Sequence, residues 1–168
     1  VTFALPTAKP GWKGTLCALA IAFSLVMAGA PVPPGGGDVA VVVRPDLPVD
    51  DLSFADVRKL LMGDRQFWTT GVRVTLLMRA PVAREREVIL KAVYRMTEAE
   101  FKRYWIEKVF RAEATSQPRF VYSNETATEL VGAIPGAVAF VDAARVPKGL
   151  KVVRIDGLLP GDRGYPLR

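Results

Sequence analysis

The stretch Thr75–Glu87, TLLMRAPVARERE, sets one arginine where it could do chemistry. An apolar run stops at Arg79, a proline follows, and an amphipathic helix with charged residues in its first turn is predicted to begin. A guanidinium at a strand end offers a planar fork of donors that suits a tetrahedral oxyanion. A helix start behind it adds backbone N–H groups and the positive end of a dipole. This is the layout of an anion cradle. The same layout serves any strand that turns into a helix, with Arg79 paired to a nearby acid or to a helix C-terminus.

Two absences narrow the chemistry further. The 168-residue chain has no histidine, and its single cysteine is Cys17. Ser-His-Asp and Cys-His catalysis are excluded, as are imidazole zinc sites. Carboxylate-pair chemistry survives this filter, but no pair of acids stands out, so the chain reads as a non-enzyme that needs no cofactor and no metal. The formal charge is +6, and Lys9 and Lys13 fall in a segment, residues 1–30, that contains no acid; without them +4 remains. That excess is scattered, unlike the clustered stripe of a nucleic-acid binder, and no nucleic-acid partner is expected.

The elements that must position Arg79 begin after a leader. Residues 1–30 combine a basic start, an apolar centre from Leu16 to Met27 and small residues at the end. The centre is too short for the roughly 20 residues a bilayer span requires, and the pattern predicts a secretory signal peptide with no stable membrane span after its removal. Cys17 lies inside it, which leaves the mature part without thiolate sites or an intramolecular disulfide. Residues 31–38 form a Pro/Gly tether. The domain is expected over 39–157, with 158–168 as a C-terminal tail.

Val39–Arg44 is a β-branched run bounded by Gly and Pro, and reads as a buried strand. Ser53 and Asp56 in capping-box spacing open a short helix that Gly63 stops. Val72–Arg79 is the second strand and Val82–Arg95 the second helix, with Val82, Ile89 and Val93 on one side and Arg84, Glu87 and Lys91 on another; Arg84 and Arg86 read as a solvated face interleaved with Glu85 and Glu87. Thr97 and Glu100 make another capping box, and Phe101, Tyr104, Trp105 and Val109 give the third helix its core face. A strand at Phe120–Tyr122, a helix capped by Ser123 or Asn124, a Pro-Gly break, a strand at Ala137–Val141 and a strand within Leu150–Gly157 complete the chain. Strands that alternate with helices predict a single-lobe, layered α/β domain with a mostly parallel mixed sheet. Ligands of such sheets sit at the carboxyl ends of the strands.

Three blocks, in this order, resemble the second lobe of the phosphate-binding proteins that feed bacterial ABC importers, members of the type II periplasmic binding protein fold: LMGDRQFW, TLLMRAP and NETATELVGAIPGAVAFVDA. The match covers about Val39 to Asp156, and Pro135 to Val141 is its most specific piece. The resemblance implies a periplasmic location and a phosphate or another small oxyanion held by Arg79 and by the helix start at Ser123, Asn124 and Thr126. It also implies a Ser-Gly-Thr at the mouth of the helix after Arg79, where this chain has Ala83, Arg84 and Glu85. The family closes two lobes on its ligand, and nothing here resembles the first, so a second lobe from another chain or a homodimer is an expected partner.

Two function classes follow. One is an exported solute-binding module that holds a small oxyanion weakly at the strand ends of one lobe. The other is a cell-envelope interaction domain that kept the fold and lost the ligand. Glu85 separates them, because a binder needs donors converging on Arg79 without an opposing carboxylate. The leader generates the first prediction: the mature protein should begin between Gly29 and Pro31, as read by mass spectrometry of a periplasmic fraction. An intact leader on soluble protein would overturn it.

Overall fold

The computed structural model describes residues 1–2 and 37–168. The predicted leader and nearly all of the tether lie outside the described residues. Among those described, no helix is long and apolar enough to cross a membrane.

The β-branched run becomes β1, Val39–Val43, with all five residues buried. Side chains alternate across a strand, so Val39, Val41 and Val43 join the larger core, while Ala40 and Val42 join a smaller one on the other face. The remaining strands are β2 (Asp51–Leu52), β3 (Thr75–Arg79), β4 (Arg119–Val121), β5 (Ala137–Asp142) and β6 (Lys151–Ile155). They form one sheet in the order β2-β6-β1-β5-β3-β4. β1 runs antiparallel to β5 and β6, and the other three pairings are parallel. The larger core is filled from helices α1 (Phe54–Leu61), α2 (Arg84–Ile89) and α3 (Glu98–Phe110); the smaller is covered by α4 (Asn124–Ala133). This is the mixed, mostly parallel α/β architecture expected from the sequence.

The caps behave as their spacing predicts. Ser53 accepts from the Asp56 N–H, Thr97 and Glu100 form a reciprocal capping box, and Ser123 caps α4 by accepting from the Thr126 N–H. Gly63, at φ 73°, takes the left-handed position that ends α1.

The middle of the chain departs from expectation in four places. β3 starts at Thr75 rather than Val72, because residues 66–74 fold into their own hairpin, with Trp68 N–H donating to Val72 O and Val74 N–H to Gln66 O, both at 2.8 Å. The second helix starts at Arg84. Val82 sits before it at φ 67°, fully exposed rather than on the apolar face. The helix then widens into a π-helical turn, Leu90–Tyr94, which ends at Arg95 with φ 55°. Arg86, expected on the solvated face, is only 1% exposed. Residues 158–168 fold onto the sheet: Tyr165 and Leu167 are buried, Val39 N–H donates to Leu167 O at 2.8 Å, and the Tyr165 hydroxyl donates to Val39 O at 2.8 Å.

Gly136 fixes the approach to β5. Its φ is 74°, its carbonyl accepts from Trp68 Nε1 at 2.9 Å and from Thr75 N–H at 3.1 Å, and a Cβ there would overlap the Arg73 carbonyl oxygen. Gly132, exposed in α4, has open space around it. Gly136→Ala should therefore lower the unfolding free energy by roughly 2–4 kcal/mol, since strained φ and steric overlap combine. Gly132→Ala should be neutral or stabilise by about 0.5–1 kcal/mol. Urea midpoints measured on the two variants test the contrast.

Candidate functional site

The carboxyl ends of β3 and β5 and the N-terminus of α4 meet at one edge of the sheet. There Arg79, Arg84, Glu85, Asn124, Asp142 and Arg145 line a cleft of about 310 Å³. Arg79 closes β3, with its side chain 11% exposed. Its Nη1 donates to Val121 O at 3.3 Å, and its Nε lies 3.6 Å from Glu85 Oε2. That Nε is buried and has no hydrogen-bond partner.

Glu85 lies in the first turn of α2 and is itself buried. Its other oxygen accepts from Asn124 Nδ2 at 2.9 Å, and Asn124 Oδ1 accepts from Asp142 N–H at 3.2 Å. Asn124 thus links α2, α4 and β5 through one buried amide. Burial pushes the Glu85 carboxyl up, but its own backbone N–H, the Asn124 amide and the Arg79 guanidinium together outweigh that and hold it below the usual carboxylate range. At neutral pH Glu85 is an anion beside Arg79.

The four residues singled out from the sequence divide two and two. Arg79 and Asn124 line the cleft. Ser123 and Thr126 do not form its lining; the Ser123 hydroxyl donates to Thr126 Oγ1 at 2.9 Å while accepting from the Thr126 N–H at 2.9 Å. These two act on the helix end. The cleft also gains Arg84, Asp142 and Arg145, which sequence reasoning did not assign to it. Arg84 donates to Gly37 O, and Arg145 approaches Asp142 at 3.9 Å and Glu125 at 3.6 Å. Position at a strand's carboxyl end was the available signal for Asp142, and the mouth of the helix after Arg79 that for Arg84; for Arg145 only the folded chain reveals it.

The end of β3 is held from below by Arg86. Its Nη1 donates to Arg79 O at 2.9 Å, while Nε and Nη2 each reach a Glu98 oxygen at 2.8 Å. The guanidinium lies over the Phe101 and Phe120 rings, 4.6 and 4.8 Å from their centroids.

No family model matches the chain, and no curated protein does. Among solved structures, it is similar to a putative phosphate ABC transporter substrate-binding protein with bound phosphate from Clostridium perfringens, at 16% identity and TM-score 0.63, over 78% of this chain and 52% of that one. An ABC-type phosphate transport receptor from Vibrio cholerae aligns at 17% identity and TM-score 0.59, over 74% and 48% of the two chains. PstS from Borrelia burgdorferi aligns at 14% identity and TM-score 0.58, over 74% and 49%. The fold is periplasmic-binding-protein-like. The chain spans about half the length of each of these proteins, and at such identities the likeness concerns the fold alone. Within this periplasmic-binding-protein-like fold, Arg79 and Glu85 stand at the strand ends as a buried ion pair.

Removing one partner of a buried pair strands the other charge. Arg79→Ala should cost about 3–5 kcal/mol, and Glu85→Gln combined with it should recover part of that loss. A carboxyl whose folded value is depressed stabilises the fold fully at neutral pH, and that contribution is lost as pH falls through its folded value, below the ordinary carboxylate range. Urea melts from neutral to acid pH should show Glu85→Gln losing less stability on acidification than the parent protein.

Proposed function

We propose that the protein is an exported solute-binding-type protein that holds a small oxyanion, phosphate or a relative, weakly at the strand ends of a single lobe. The observation that carries this reading is Arg79, a guanidinium at the carboxyl end of β3 that lines an open cleft and whose Nε, 3.6 Å from Glu85, makes no hydrogen bond. Arg84 and Arg145 add positive charge to the same cleft. The phosphate-binding proteins of similar fold support the ligand class, and the predicted leader supports a periplasmic location. Binding rather than catalysis suits a cleft that presents charge but no nucleophile paired with a base.

Glu85 limits the affinity. Its carboxylate takes one side of the Arg79 fork, so an incoming anion must displace it or tolerate it at close range. Here it acts as an internal substitute for the ligand. A second reading rests on the same residue: the Arg79–Glu85 pair closes the site, and the domain is an envelope interaction module that kept the fold.

Calorimetry on material shown to be monomeric by light scattering separates these readings. On the first, phosphate binds with a dissociation constant in the millimolar range or weaker, near −4 kcal/mol. Glu85→Gln tightens it about tenfold, or roughly 1.4 kcal/mol, because the competing charge is gone while the amide keeps its size. Absence of binding to both proteins favours the second reading. A partner that supplies the facing wall, a second copy or a separate lobe, should raise the affinity by adding donors and excluding water.

A further inference from the structure

The opposite pole of the sheet holds a better-enclosed cavity. It lies at the amino ends of β3 and β4, between the α1–β3 hairpin and the segment joining α3 to β4, and has a volume of about 280 Å³. Three arginines, Arg65, Arg73 and Arg119, line it, and no carboxylate does. Arg65 is partly engaged, 4.0 Å from Asp56 and 5.6 Å from the Trp68 ring centroid. Among the described residues, Arg73 and Arg119 form no ion pair and no side-chain hydrogen bond. Both are exposed at the rim. The floor is apolar, made of Leu60, Leu76 and Trp105.

The walls are fixed before any ligand arrives. Val74 N–H donates to Gln66 O at 2.8 Å, and Gln66 Nε2 reaches across to Glu113 O at 2.8 Å, which ties the hairpin to the segment opposite. Arg119 is held in register with Leu77 by β4 pairing. Ala114 and Pro118 anchor the same segment by burial. A preformed hollow that offers apolar side chains together with convergent polar groups suits a small amphipathic molecule. Like charges gathered at one rim repel, and an anion placed among them relieves that repulsion.

We propose that this cavity is a second binding site, distinct from the Arg79 cleft, for a small organic anion. The anionic head lies among Arg65, Arg73 and Arg119 at the rim, and a compact apolar or aromatic body rests on the Trp105 floor. The strand-end cleft differs in kind, since Glu85 and Asp142 offset its arginines and its wall presents no comparable apolar floor. The new site therefore prefers an ester or aryl anion to a bare inorganic one.

Phenyl phosphate is the probe and inorganic phosphate its comparison, with binding followed by amide and indole N–H shifts in NMR titrations of the protein. The expected result is saturable shifts at Thr115, Ser116, Gln117 and the Trp105 indole, with phenyl phosphate at least tenfold tighter than inorganic phosphate there. Arg73→Ser combined with Arg119→Ser should weaken phenyl phosphate tenfold or more while leaving the urea midpoint unchanged, because both side chains are exposed. Shifts confined to the Arg79 cleft, an unchanged affinity in the double variant, or shifts that grow without saturating would each overturn the proposal. Because the map distinguishes the poles, failure here leaves the strand-end reading standing, and the reverse holds equally.

Discussion

The Arg86 guanidinium is the contact on which the rest of the structure leans. A buried charge is costly unless its donors are matched and its faces covered, and here both conditions are met by different parts of the chain. Glu98, at the start of α3, takes two donors; the carbonyl of Arg79, at the end of β3, takes a third. Phe101 from α3 and Phe120 from β4 both bring a ring against it. One side chain thus sets where β3 ends, how α2 leaves it, and how α3 and β4 pack beside it. The position of Arg79 in the cleft follows from that. So does the position of Glu85, one residue before Arg86 in the same helical turn.

The two poles of the sheet show opposite solutions to holding positive charge. At the carboxyl ends the chain supplies its own counter-ions, and a buried amide, Asn124, keeps the carboxylate of Glu85 in place. At the amino ends the arginines stand around a hollow without a lining acid. A pocket whose arginines are partly offset by its own carboxylates holds a guest only weakly. A charged one gains from a guest, and its walls must then be stiffened by other means, as the Gln66–Glu113 bridge does.

Elements governed by local rules were legible in the sequence. The β-branched run of β1, the Ser53 and Thr97 caps and the Gly63 stop each depend on a few neighbouring residues, and each forms as its spacing dictates. Arg84 and Arg86 show where legibility ends. In RERE both arginines present the same local pattern, and nothing nearby states that one of them will meet two rings and a carboxylate from other elements. β2 went unread because two residues carry no periodicity, and Val82 because its left-handed backbone breaks a helix that the apolar spacing alone would extend. Glu85 was visible as a carboxylate six positions past Arg79. Its inward direction depends on where α2 starts, which the amphipathic pattern misplaced.

The placement of β1 has a consequence for how the chain reaches this fold. It pairs with β5 and β6, roughly a hundred residues downstream, and its first residue is held by a tyrosine hydroxyl 126 residues away. Among the described strands, the first in sequence is therefore without neighbours until β5 and β6 have been made. Loop closure over such distances is entropically slow, so the nascent chain lacks its organising strand pairs during synthesis. The centre of the sheet is thus completed last, when β5 and β6 bracket a strand made long before them.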